Sequence, residues 1–370
     1  MTKHNANNVR IKHRYFAFLK EAEGLSVQSV DAVASAINRF ETDTKHRDFK
    51  LFNEDQVFAF KKHLAEQKGQ RSGKNLSKAT LHATFTQLKH FFRWLSQQPG
   101  YKTSIKYSDA AFFRLSKNDT HIATAHRVKR WPTLEQVKHV ISSMPSNSVI
   151  ERRDRAIVAF TLLTAARVNA IVSMKLEHID LQAGCFYQDA RIVETKFRKT
   201  FTTFFFPVGD EILEIVVGWV RELREELLWS NDDPAFPSTL RGIDESKQFE
   251  VAGIERRHWS GTSPIRAIFR EAFVSAGLPY FNPHSFRDTL VHHGMNDRLS
   301  PEQMKAISQN LGHEKILTTV LNYGEVSYQR QGEIIRGLAT SQQAMPSGAD
   351  EIAEAVFKKL RASGVDMQVR

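Results

Sequence analysis

Asn282-Pro283-His284-Ser285-Phe286-Arg287, then Asn310-Leu311-Gly312-His313-Glu314, then Asn322-Tyr323-Gly324: these three short segments of a 370-residue chain bring together a guanidinium, two imidazoles and a phenol. His284 and Arg287 are three positions apart, which on a helix places both on one face. Leu311-Gly312 reads as a turn or helix start ahead of His313, and Tyr323 follows ten residues after that histidine. A phosphoryl-transfer site that has no metal needs this chemistry. Arginine takes non-bridging oxygens bidentately, histidine moves protons, and tyrosine can be a nucleophile. Each residue alone has a plainer reading as a surface helix step, a helix cap or a half-buried aromatic. In this order and in one stretch they point to one site.

Two upstream segments extend the set. Thr164-Ala165-Ala166-Arg167 closes an apolar run through Ile157, Val158, Phe160, Leu162 and Leu163, which reads as a buried helix over 151–166. A charge set against such a run needs a partner. For Arg167 that is either Glu177 or Asp180, or a phosphate that arrives with a substrate. Cys185 to Phe206 is the one strand-rich region: Phe186-Tyr187, Ala190–Val193 and Phe201–Phe206 predict a short antiparallel sheet. Thr195-Lys196-Phe197-Arg198-Lys199-Thr200 is its hairpin turn.

This ordered set resembles the tyrosine recombinases, also called the phage integrase family, over roughly residues 10 to 337. The family carries an Arg after a Thr-Gly-x turn, a hairpin Lys, a His-x-x-Arg box, Leu-Gly-His and a Tyr. The resemblance implies catalytic roles for Arg167, Lys196, His284, Arg287, His313 and Tyr323, with Lys199 the rival of Lys196 as general acid. It implies a site-specific recombinase that cuts and rejoins strands through a 3′-phosphotyrosine, serving integration or excision of a mobile element. It also implies double-stranded DNA as partner, a tetramer in the synaptic complex, accessory DNA-bending proteins, and neither cofactor nor metal. Two departures stand out: Ala165-Ala166 replaces the turn glycine, and the His313–Tyr323 spacing is one residue longer than in many relatives. One residue turns a helix by about 100°, and Tyr328 is the fallback nucleophile. The competing readings are a type IB topoisomerase-like relaxation activity and a non-catalytic architectural or regulatory DNA-binding protein.

Charge supports a polyanion partner. Residues 1–130 hold 24 Lys/Arg against 11 Asp/Glu, a net of +13, whereas the remainder carries −2 of the overall +11. A basic module joined to a near-neutral one suits DNA binding by one part. No apolar run reaches the roughly 18 residues of a membrane span, the N-terminus lacks a secretory pattern, and the single cysteine, Cys185, excludes an internal disulfide. A cytoplasmic protein is expected.

The expected fold is mainly α with a small antiparallel β-sheet, arranged as a two-domain DNA clamp. Residues 10–120 form a helical core-binding domain, 121–130 a basic linker, 131–340 the catalytic domain, and 341–370 a polar tether with a C-terminal helix. In the arm, Val33, Ile37 and Phe40 make one helix face starting near Ser29 or Asp31. Asn53 and Ser77 cap two further helices, the second running through Leu81, Phe85, Leu88, Phe92 and Leu95. In the catalytic part, Thr133 and Gln136 have capping-box spacing, and Ile212 to Leu228 reads as an amphipathic helix followed by a polar stretch through Lys247. Arg71, Lys74, Lys78, Lys89, Arg93, Arg130, Arg266 and Arg270 are candidate DNA contacts. His121 and His126, five apart and with no carboxylate or thiol partner, read as loop residues rather than metal ligands.

Overall fold

The computed structural model describes residues 4–69, 73–125, 129–195, 199–243, 249–295 and 300–313. Its chain divides into two units, Met1–Val128 and Lys129–Arg370.

The first unit is helical among its described residues. Helices α1 (Ala6–Glu21), α2 (Val27–Asp43), α3 (Glu54–Glu66) and α4 (Lys78–Leu95) enclose an aromatic core. Asn53 and Ser77 cap α3 and α4 as their sequences indicate, each side-chain oxygen accepting from the amide three residues on. Helix α2 starts earlier than Ser29 or Asp31: Ser26 is its cap and accepts from Ser29 N. The α1 chain exits through Gly24 in a left-handed conformation, which brings Ser26 first into the extended capping position. Phe40 meets Phe60 and Phe92 edge-on at centroid distances of 5.2 and 5.3 Å, and Phe52 stacks on Phe92 at 4.0 Å. Each such ring contributes about 2–3 kcal/mol through burial. One buried polar knot fixes α1 on α2. Glu41, fully buried, pairs with Lys12 and accepts from Asn8 Nδ2, while Asn8 Oδ1 accepts from Phe49 N.

The chain stays folded beyond α4, into the first residues of the expected linker at 121–124. Residues Tyr107–Phe112 form a 3₁₀ turn and Lys117–Thr124 form helix α5, which packs on α4 with Lys78 Nζ 2.9 Å from Asp119 Oδ1. No residue of α5 is buried, and its cap is the single oxygen of Ser116. With no apolar stripe, periodicity gave no helix signal there.

In the second unit, α6 (Leu134–Ser143) begins with both bonds of the Thr133/Gln136 capping box. Helix α7 (Val149–Thr164) is buried from Ala156 onward and is the central post, with α6, α9 (Asp210–Arg221), α10 (Ser263–Ser275) and α11 (Ser285–Met295) packed around it. Short α8 (Val168–Ser173) follows α7, and α12 (Pro301–Asn310) closes the described part. Strands β1 (Ile179–Asp180), β2 (Cys185–Gln188) and β3 (Phe201–Phe204) form an antiparallel sheet in that order, with Cys185 opposite Phe204 and Gln188 opposite Phe201.

Three expectations need correction. Ala190–Val193 is not a strand: Ile192 and Val193 donate to the Asp189 carbonyl, and the Asp189 carboxylate accepts from Arg191, closing a turn instead. The helix after Pro207 stops at Arg221 and continues as one wide turn over Glu222–Glu226, short of Leu228. The polar stretch beyond it contains a second hairpin, β4 (Ser238–Ile243) with β5 (Phe249–Glu255). Its anchor is buried Arg153 on α7, which donates to Pro237 O and Thr239 Oγ1 and lies 4.8 Å from the Trp259 ring centroid. That non-local anchor replaces the apolar alternation by which a strand is normally read. Among the described residues no helix is long and apolar enough to cross a membrane.

Candidate active site

The site is built around the end of α7. Thr164 Oγ1 donates back to Phe160 O at 2.6 Å and accepts from Ala166 N at 3.1 Å. Between them Ala165 adopts φ 51° and ψ 27°, a left-handed conformation that reverses the chain. Glycine enters that region at no steric cost, and a methyl side chain costs about 1–2 kcal/mol. Arg167 then caps α8 with its backbone, its carbonyl accepting from Ala170 N and Ile171 N, and its side chain is half-buried.

Arg287 reaches this turn from α11. Its guanidinium donates through Nη1 to Ala165 O at 2.7 Å and through Nη2 to Leu311 O, and Nη2 lies 3.4 Å from His313 Nε2. The residue is 3% exposed. Two carbonyls therefore hold a buried planar guanidinium in one orientation.

His284 does not share the helix of Arg287. It is exposed in a turn ahead of α11, where Ser285 N donates to Asn282 O, Phe286 N to Pro283 O and Arg287 N to His284 O. These tight turns follow Pro283, and Ser285 Oγ also donates to Asn282 O. The exposed imidazole can meet a bound polymer, while the guanidinium three residues on is enclosed by protein.

His313 comes from the far side. Leu311-Gly312 is the exit of α12 rather than a helix start: Gly312 has φ 68°, its amide donates to Gln309 O, and His313 N donates to Ser308 O. His313 is 9% exposed. The hairpin expected to carry the lysine leaves β2 and returns through β3. Thr195 Oγ1 donates to Lys199 O at 2.8 Å, and Ala190 N donates to Thr200 Oγ1. Lys199 is half-buried; Lys196 lies outside the described residues, as do Tyr323, Tyr328 and Arg71.

Several contacts around the site had no sequence signal. Trp131 stacks on His292 of α11 at 3.9 Å with parallel rings, and Thr289 Oγ1 donates to Pro132 O at 2.6 Å. Burial holds the His292 imidazole below the usual histidine range. Burial likewise raises the Asp288 carboxyl, against the opposing pull of Lys129 and Arg287. A Trp-Pro pair reads locally as a helix lead-in, and only the fold shows that it docks against the arginine's helix.

Among the candidate DNA contacts, Lys89 and Arg93 line a cleft of about 470 Å³ beside α4, together with Arg114, Lys117, Phe85 and Phe113. Lys78 is engaged by Asp119. Arg130 and Arg266 are exposed, Lys74 is described in the loop ahead of α4, and Arg270 lies 4.6 Å from the Tyr280 ring centroid.

The phage integrase family profile matches residues 130–330. Tyrosine recombinase XerC of Lactobacillus delbrueckii subsp. bulgaricus is 25% identical over 272 residues, covering 70% of this chain and 76% of the relative. Among solved structures, XerH site-specific recombinase bound to palindromic difH substrate in a post-cleavage complex is similar with a TM-score of 0.53 and 17% identity, covering 88% of this chain and 83% of that one. A lambda integrase tetramer bound to a Holliday junction gives a TM-score of 0.56 and 15% identity, covering 84% and 78%. The profile spans more than half of the sequence, so the chain belongs to the phage integrase family, the tyrosine-type site-specific recombinases.

Proposed function

We propose that this protein cuts and rejoins double-stranded DNA at a specific site through a 3′-phosphotyrosine, in the integration or excision of a mobile element. The observation that carries the reading is the joining of the two arginine segments: Arg287 Nη1 bonds the carbonyl of Ala165, two residues before Arg167, while Nη2 lies beside His313. A guanidinium bonded to the turn that precedes Arg167 and lying beside an imidazole suits a pentacoordinate phosphate bearing extra charge.

In this mechanism the Tyr323 oxygen attacks the scissile phosphorus, forming a Tyr–O–P bond as the P–O5′ bond breaks. Arg167 and Arg287 stabilise the transition state and His313 hydrogen-bonds a non-bridging oxygen. His284 accepts the tyrosine proton and Lys196, or Lys199 in its place, protonates the departing 5′ oxygen. The phosphodiester energy is kept in the covalent link. A free 5′ hydroxyl of the exchanged strand then reverses the step. Exchange of both strands between two duplexes calls for four active protomers, and the lambda integrase neighbour is itself a tetramer on a Holliday junction. Accessory proteins that bend the DNA would bring the sites together.

Covalent trapping tests this. Nicked duplexes from the sequence flanking the gene are incubated with wild-type protein and with Tyr323→Phe. An adduct that resists detergent in the wild type alone supports the reading. An adduct that persists in Tyr323→Phe transfers the nucleophile to Tyr328, and tight binding to a verified site without any adduct supports the architectural alternative.

A further inference from the structure

The expected lysine hairpin returns through β3, an edge strand of its sheet. Strand edges expose amide and carbonyl groups that need partners. Among the described residues no further strand supplies them at Phe204. Asn310, the last residue of α12, does. Its Oδ1 accepts from Phe204 N at 2.7 Å and its Nδ2 donates to Phe204 O at 2.9 Å. A primary amide carries the same donor and acceptor as a peptide group, so one side chain acts as a one-residue strand.

The contact continues in both directions. Thr203 Oγ1 donates to the Asn310 carbonyl at 3.0 Å and accepts from Gln188 Nε2 at 2.9 Å, tying α12 through β3 to β2. The next residue, Leu311, supplies the carbonyl that holds Arg287 Nη2, and Gly312 lies so close to the Phe201 ring that a Cβ there would come within 2.5 Å of it. One short segment thus sets the hairpin's outgoing strand, the Arg287 fork and the His313 turn relative to each other.

We propose that Asn310 is a positioning residue for general-acid catalysis: it fixes β3, and with it the hairpin lysine, against the segment that carries Leu311 and His313. The inference rests on the recombinase reading above. Asn310 touches neither phosphate nor leaving group. Its effect is exerted through the lysine that gives its proton to the 5′ oxygen as the P–O bond breaks.

The test exploits that proton. A substrate with sulfur in place of the bridging 5′ oxygen expels a thiolate, whose conjugate acid has a pKa of about 8.5, and needs no proton donor. On the ordinary substrate, Asn310→Ala is expected to slow formation of the tyrosyl adduct on the order of 10²-fold, the scale of one general acid. On the sulfur substrate it should react within about threefold of wild type, as Lys196→Ala or Lys199→Ala should, whichever lysine is the acid. Thermal melting and DNA affinity are measured alongside, and Asn310→Asp, which keeps the acceptor for Phe204 N, replaces the alanine variant if that one does not fold. Equal slowing on both substrates, or no slowing on the ordinary one, would overturn the positioning role. A wild type inert toward both substrates on a verified site would instead overturn the recombinase reading, and this inference with it.

Discussion

Arg287 and Ala165 stand 122 residues apart and are joined by a single 2.7 Å hydrogen bond from Nη1 to the carbonyl of a left-handed alanine. The carbonyl faces α11 because the chain reverses at Ala165, and that reversal also starts the segment bearing Arg167. Backbone conformation at one residue therefore sets the relation between both arginines. Ala165→Gly should keep the turn and remove its strain, partly offset by the greater freedom of glycine in the unfolded chain, for a net gain of about 0.5–1 kcal/mol. Thermal melting reads this as a rise of about 1–4 °C. Ala165→Val should lower both melting temperature and strand cleavage, and a melting temperature raised by valine would contradict the assigned strain.

Arg287→Lys keeps the charge and discards the fork. A lysine ammonium cannot hold the carbonyls of Ala165 and Leu311 in one plane while presenting further donors to phosphate. Strand cleavage should fall about 10²–10³-fold, with affinity for the DNA site changed only slightly. A gel-shift assay paired with single-turnover cleavage separates the two; parallel loss of both would assign Arg287 to binding rather than to chemistry.

Gly312→Ala meets two obstacles, a φ of 68° and the Phe201 ring 2.5 Å from the added carbon. The backbone part costs about 1–2 kcal/mol. The steric part should disappear when Phe201→Ala is added, so the double variant should be less destabilised than the sum of the singles by at least about 0.5 kcal/mol. Denaturant unfolding of the four proteins gives the cycle, and strict additivity would separate the ring from the His313 turn.

Acid should weaken the second unit. His178, His258 and His292 are each held below the usual histidine range, in every case first by burial; Lys175 and His178 push His258 further, while Glu177 pulls His178 back. An unfolded histidine takes its proton near a pH of about 6.5 and these folded ones resist, so stability is complete above that value and declines as pH falls below it. Urea midpoints at pH 8 and 5.5 should differ, and His292→Phe, which retains a ring against Trp131, should shrink the difference. An unchanged difference would remove His292 from the effect.

The elements legible in sequence were those written in neighbouring residues. Asn53, Ser77 and the Thr133/Gln136 pair each bond an amide three positions away, so their helices start where local chemistry says. Ser26 escaped because the capping position depends on how the chain leaves α1, and α5 escaped because it buries nothing. The β4–β5 hairpin escaped because its anchor, Arg153, lies 84 residues before Pro237.

The candidate site divides along the same line. Which groups are proposed to take part was read from the sequence alone, because guanidinium, imidazole, amine and phenol are properties of residue type and their order is carried by the chain. Tertiary structure alone decided their arrangement. It placed His284 exposed in a turn and Arg287 buried in a helix, drew the Arg287 fork between carbonyls 122 and 24 residues away, and completed an edge strand with Asn310 from 106 residues on. These contacts are hydrogen bonds between backbone groups common to every residue and side chains distant in sequence. No local pattern encodes them; they exist only once the core around α7 brings the segments together.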